Sequence, residues 1–285
     1  MKDLSENKTP SAKKRGRWII GLFILIVAAM AYVPWRWTPY EQQWGFAVGF
    51  QSPQMATAQY TDKTVRGSLG GIPVAIPPHF AEYVEYDGDP GWGEERKGLR
   101  PVRTQESKIR NFGFTVRYPD MEGRDSPERW ADYRNSKIGT RTWIRVGLSS
   151  GEDHNGPGST DRMAGRLDLK SEYWWSNYIK LDEKEHGLDV YAVVGTDPKN
   201  NKPYREHENA DDVYVQRDDA GRVEVYIVCS NREIPSAPCR HYFELEPEMY
   251  ARVQIGYRRG LLSEWKQIQE GVTKTILGFA VNENN

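Results

Sequence analysis

Residues 212–229 read DVYVQRDDAGRVEVYIVC, and this stretch decides the fold. Val223, Val225, Ile227 and Cys229 alternate with Glu224, Tyr226 and Val228, the period-2 pattern of a strand. An apolar run precedes Asp218–Gly221, whose Asp and Gly residues suit a tight turn, so the stretch predicts a β-hairpin. Downstream, Cys239, His241, Phe243 and Leu245 alternate, and so do Ala251, Val253, Ile255 and Tyr257. Two more strands are expected there. Beyond Ser263 the period changes. Leu261, Trp265, Ile268, Val272, Ile276 and Phe279 fall on one stripe at spacings of three and four. That is a helix with one apolar face, and the polar face is not basic enough to favour a membrane surface over the sheet.

Upstream the punctuation is denser. Phe112, Phe114, Val116 and Tyr118 alternate as a half-buried strand, TRTWIRVGL (140–148) and GLDVYAVVG (187–195) read as strands, and another is expected at 80–86. Ser126-Pro127-Glu128 sets an N-cap, a proline at the first helical position and an acid in the first turn of a short helix. SSGEDHNGPGSTDR (149–162) and NKPYREHENADD (201–212) read as polar loops. The expected fold class is α+β: an antiparallel, β-sheet-rich domain over 65–285 with a packed C-terminal helix. It is read either as one body or as two lobes of about 65–165 and 166–285.

Charge and export come next. The 39 basic residues balance 40 acidic ones, which leaves no electrostatic footprint for nucleic acid. KKRGRWIIGLFILIVAAMAYVPW (13–35) places a basic cluster before an uncharged run from Trp18 to Trp35. At about 1.5 Å per residue this run just crosses a hydrocarbon core of about 30 Å. Trp18 at one end and Trp35, Trp37 and Tyr40 at the other suit the two interfaces. The excess of basic residues before the run places the N-terminus in the cytoplasm. Residues 1–17 are then a cytoplasmic tail, 18–35 a single transmembrane helix in the inner membrane and 36–64 a linker, with the bulk in the periplasm. The alternative is a signal peptide cleaved after Ala31, which leaves a soluble periplasmic protein. Both readings export the domain. In an oxidising compartment the only two cysteines, Cys229 and Cys239, are expected to pair and tie off the loop between their strands.

Catalytic signatures are sparse. GLSSG (147–151) fits G-x-S-x-G with Ser149 as nucleophile, but no apolar helical pattern follows it, as a nucleophile elbow requires. Asp87 and Asp89 stand in D-x-D spacing without the later acid of a calcium loop, and a Gly/Pro turn is the simpler reading. His79, His154, His186 and His241 are scattered; His241 keeps step with the apolar positions of its strand and reads as a core histidine. No phosphate-binding or dinucleotide fingerprint is present, so neither a cofactor nor a metal is expected.

The succession of GLDVY (187–191), the 212–229 hairpin, PCRHYFEL (238–245) and VQIGYRRGLLSEWKQIQEGVTKTILGF (253–279) resembles the C-terminal part of periplasmic bacterial immunity proteins. These are paired with lipase-type effectors of the type VI secretion system. GGIPVAIPPHFAEYVEYDGDP (70–90) and SKIRNFGFTVRYPDM (107–121) resemble their N-terminal part. Many members are lipoproteins, and here an apolar segment without cysteine stands in that place. The resemblance implies a non-enzymatic protein that binds a toxic phospholipase and occludes its active site. A tether would hold it at high local concentration beside the bilayer.

Candidate contact loops, chosen by charge and expected exposure, are 87–95, 151–162 and 204–212. They offer Asp87, Asp89, Trp92, Glu94, Glu152, Asp153, His154, Arg205, Glu206, His207 and Asp211. Two other classes compete. One is a membrane-anchored adaptor that loads an effector onto the secretion machine. The other is an exported hydrolase using Ser149.

Overall fold

The computed structural model describes residues 64–281, apart from 92, 93, 96, 100 and 155. The tail, anchor or signal peptide, and nearly all of the linker read from the sequence lie outside the described residues. Among those described, no helix is long and apolar enough to cross a membrane.

The first six strands are β1 (Val65–Leu69), β2 (Ile72–Ile76), β3 (Glu82–Tyr86), β4 (Lys108–Arg117), β5 (Glu122–Gly123) and β6 (Trp143–Ser149). The second six are β7 (Tyr178–Lys180), β8 (Asp189–Val193), β9 (Asp211–Arg217), β10 (Val223–Ser230), β11 (Pro238–Glu244) and β12 (Arg252–Arg258). They hydrogen-bond in the order β2-β1-β4-β6-β12-β11-β10-β9-β8-β7, with β3 and β5 adding to β4. Strands β1–β6 thus fill one side and β7–β12 the other, and the β6/β12 pair joins them. Neighbours run antiparallel except β1 and β4, whose short parallel pairing departs from the antiparallel expectation. Among the described residues three α-helices accompany the sheet: α1 (Pro127–Asn135), α2 (Ser159–Ala164) and α3 (Trp265–Leu277).

Helix α3 covers one face. All six residues of its predicted stripe are buried, in one cluster with Ile109, Phe112, Phe114, Val146, Ile227, Phe243, Val253 and Ile255. Phe279 closes the helix against Phe80, Phe112 and Phe114, with ring centroids 5.4–6.3 Å apart. Each fully buried side chain of this size contributes about 1.5–3 kcal/mol, so the stripe is what fixes the helix in place.

The hairpin of 212–229 forms with its turn where the sequence puts it, Gly221 N–H donating to Asp218 O at 2.9 Å. One detail differs from the simple alternation. A β-bulge between Val223 and Val225 shifts the register, so Val223 joins Val213, Val215 and Tyr226 in a second cluster while Val225 stays in the main core. An inserted residue flips the faces of everything beyond it. Helix α2 closes that second cluster through Ala164, helped by Leu167.

Other expectations need local correction. The polar stretch 149–162 is not all loop: it holds a 3-10 turn at Gly151–Asp153 and then α2. Strand pairing near residue 80 begins only at Glu82, because Pro77 and Pro78 lack N–H donors and the chain turns as a 3-10 helix at Pro78–Phe80. Helix α1 starts as expected, with Ser126 Oγ accepting from Arg129 N–H at 3.2 Å. Gly70 in the β1–β2 turn has φ +55, and a Cβ there would sit 2.5 Å from the Tyr250 backbone, so the turn needs glycine on both counts.

Candidate binding surface

Two of the three expected contact loops meet at one end of the sheet. The chain leaving β3 and the chain leaving β6 touch through Asp87, whose Oδ1 accepts from Glu152 N–H at 3.3 Å. Their charges are largely spent on neighbouring groups. Asp89 accepts from Tyr86 N–H at 3.0 Å and pairs with Arg103. Glu94 accepts from Gly91 N–H at 3.1 Å. Asp153 bonds Asn111 and lies 3.4 Å from Arg110. His154 Nε2 is 2.5 Å from Glu246 Oε1, and its side chain is only 4% exposed. Trp92 lies outside the described residues. No metal-holding cluster of three or more ligands occurs among the described residues.

Ser149 ends β6, opposite Asn111 and Arg252. The strand runs into the 3-10 turn, not into the helix that would expose a nucleophile on an elbow. Its neighbour Ser150 is buried and donates to Ile109 O.

The third loop lies at the opposite end, beside the disulfide. Cys229 and Cys239 face each other across β10 and β11 and are bonded. The loop they tie, 230–238, rests on a buried carboxylate. Asp212, 1% exposed, accepts from Arg205 Nε at 3.0 Å and Nη2 at 2.9 Å, from Asn231 Nδ2 at 3.0 Å and from Arg259 Nη2 at 3.0 Å. Burial alone would push its pKa up; the hydrogen bonds from Arg205, Asn231 and Arg259 outweigh that and hold it below the usual carboxylate range. Arg259 also bonds Ser230 O, Asn231 and the Tyr214 hydroxyl. Of the expected contact residues, Arg205 therefore has its guanidinium held by Asp212, while its side chain stays 42% exposed. Asp211 sits on β9 rather than in a loop, and burial raises its pKa. Glu206 is exposed and His207 half-buried.

Beside the tied loop is an open groove of about 540 Å3, lined by Arg232, Glu233, Ile234, Pro235, Leu262 and Glu185 among others. Ile234 stands 47% exposed at its lip. Adjacent to it runs an aromatic ledge that charge-based reasoning missed. Tyr173 stacks on Trp175 at 4.8 Å, Trp175 meets Trp174 edge-on at 5.6 Å, and Trp174 stacks on Tyr204 at 4.7 Å. His207 packs edge-on against Trp174 at 4.9 Å. The signal was present in EYWWSN (172–177): three consecutive aromatics between polar residues, outside any alternating run. Exposed Tyr and Trp are the residue types that carry interface energy.

What this surface can do chemically is bind. The hub's polar atoms are turned onto one another, and the exposed features are rings, an isoleucine and a rim of mixed charge.

No protein-family model matches the chain, and no curated protein matches it. The solved structures similar in chain trace include the following two. An immunity protein of the Stenotrophomonas maltophilia type IV secretion system aligns with a TM-score of 0.49 and 19% identity, over 78% of this chain and 95% of that one. The iron-regulated outer membrane lipoprotein FrpD of Neisseria meningitidis aligns with a TM-score of 0.39 and 10% identity, over 79% of this chain and 95% of that one. At such identities neither neighbour says what this chain binds.

Proposed function

We propose that this protein is an immunity protein, which binds a toxic secreted enzyme and occludes its active site. The carrying observation is the tied loop 230–238. A disulfide at its base and the Asp212 hub beneath it hold Arg232, Glu233 and Ile234 in one arrangement beside a groove. A loop fixed before binding avoids the ordering cost that weakens flexible contacts. The resemblance over 70–90, 107–121, 187–191, 212–229, 238–245 and 253–279 supports a lipase or phospholipase effector of a type VI system as the target. The apolar run 18–35 supports a periplasmic domain, tethered to the inner membrane or released by cleavage after Ala31. An inhibitor beside the bilayer meets a phospholipase where its substrate lies.

The test is capture of a partner by the tagged full-length chain from a native envelope extract, with esterase and phospholipase activity measured before and after. One stoichiometric enzyme, silent in the complex and active when released, is expected. An enzyme fully active in the complex identifies an adaptor instead. Capture of no enzyme at low salt overturns the proposal.

A further inference from the structure

We infer that the recess between Tyr204 and His207 is a socket for an arginine side chain of the bound partner; this rests on the reading that the partner is a protein. The recess, about 190 Å3, is lined by Asp197, Lys202, Tyr204, Glu206, His207 and Glu208 among others. Its ring wall is built. Trp174 lies 4° from parallel to Tyr204 and meets His207 edge-on, so both rings are fixed in place by it. The backbone is set as well: Tyr204 N–H donates to Gly195 O at 3.0 Å and Asn209 N–H to His207 Nδ1 at 3.1 Å.

The charge on the lining is one-sided: three carboxylates against the single ammonium of Lys202. Asp197 is spent on its own turn, accepting from Lys199 N–H at 2.9 Å. The carboxylates of Glu206 and Glu208 accept no hydrogen bond and form no ion pair among the described residues. Neighbouring arginines do not neutralise them. Arg205 is turned to Asp212, and Arg232 Nε donates to the backbone oxygen of Glu208 at 2.9 Å. That same Arg232 lines the groove beside the tied loop, so socket and groove form one continuous surface.

A flat cation fits this chemistry. A guanidinium stacks on an aromatic face and presents paired donors to a carboxylate, whereas an ammonium offers a point charge. Anionic and apolar occupants meet two unpaired carboxylates.

The experiment follows the Trp174 indole N–H resonance of the full-length protein, assigned by its loss in Trp174→Phe. The probes are acetyl-Gly-Arg-Gly-amide and the same peptide with lysine or citrulline. A saturable shift is expected with arginine, about tenfold weaker with citrulline, whose urea has the shape without the charge. The Glu206→Gln/Glu208→Gln variant, altered only at exposed positions and checked for an unchanged melting temperature, is expected to lose about tenfold in affinity. Lys202→Gln is expected to gain. Equal binding of arginine and citrulline peptides, or full affinity in the double variant, overturns the socket. The captured enzyme separates the two readings. If wild type and double variant silence it with equal affinity, the socket falls and the immunity role stands. If the peptide data hold and no enzyme is captured, the immunity role falls alone.

Discussion

Asp212 and His241 are both almost fully buried, and both make the protein sensitive to acid, over different ranges. His241 is 0% exposed, bonded to Gln269 at 3.0 Å, and burial lowers its pKa to about 3. In the unfolded chain it titrates near 6.5, so below that pH the unfolded state binds the extra proton and folding loses stability. The urea midpoint should fall as pH drops from 7 to 4.5, and His241→Leu should flatten that slope. A slope unchanged by the substitution would mean that another group titrates. Asp212 acts lower down. Its depressed pKa adds stability that is complete above the ordinary 3.8 and is lost as pH falls through the folded value. Asp212→Ala removes the acceptor shared by Arg205 and Arg259, whose side chains are 42% and 28% exposed and can turn to water, and should cost about 1–3 kcal/mol at neutral pH by chemical denaturation. These side chains show why legibility stops at the residue scale. His241 was readable as a core histidine because it kept its strand's alternation. The Asp212 hub was not, because Arg205, Asn231 and Arg259 come from three separate segments and only folding brings them to one carboxylate.

At the scale of elements, the tied loop and helix α3 carry opposite lessons. Reducing the Cys229–Cys239 bond, or replacing both cysteines by alanine, should lower stability by about 2–3 kcal/mol, as a loop this short allows. It should weaken partner capture more than the stability loss explains, since the loop would then sample many shapes; equal capture by the reduced protein would remove the loop from the interface. Helix α3 depends on its stripe, and Ile268→Ala should cost about 2–5 kcal/mol, measured as a shift in the denaturation midpoint without a change in its slope. Both elements were legible because their signals are local: period 2 flanking two cysteines, and period 3.6 after Ser263. Helix α2 was not. Its six residues, Ser159–Ala164, are too few to show a period, and it is held from outside by Glu244, which accepts from the N–H groups of Gly158, at 2.9 Å, and of Ser159.

For the whole molecule, the sheet's strand order joins the first and second halves of the chain through the β6/β12 pair, and Phe279 returns from α3 to the rings of the first half. A single calorimetric transition is therefore expected for the folded domain. Phe279→Ala should lower it by about 3–5 kcal/mol without splitting it; two separated transitions would mean two lobes that fold independently. The candidate site follows the same pattern of legibility. Charge pointed to the 204–212 loop, and Glu206 and His207 do border the ledge. The rings that give the ledge its character were invisible to a criterion of charge. The two ends of the sheet also differ in kind. The outer edge of β2 is closed by the chain's own return, with Ala75 N–H donating to Phe279 O and Val281 N–H to Pro73 O, both at 2.9 Å. Along β7, the backbone groups of Tyr178 and Lys180 that point away from β8 meet no strand among the described residues. Strand β3 too pairs with no strand but β4, so β7 is not the sheet's one open edge among the described residues. Two copies joined β7 to β7 about a twofold axis would still leave the β3 edges free.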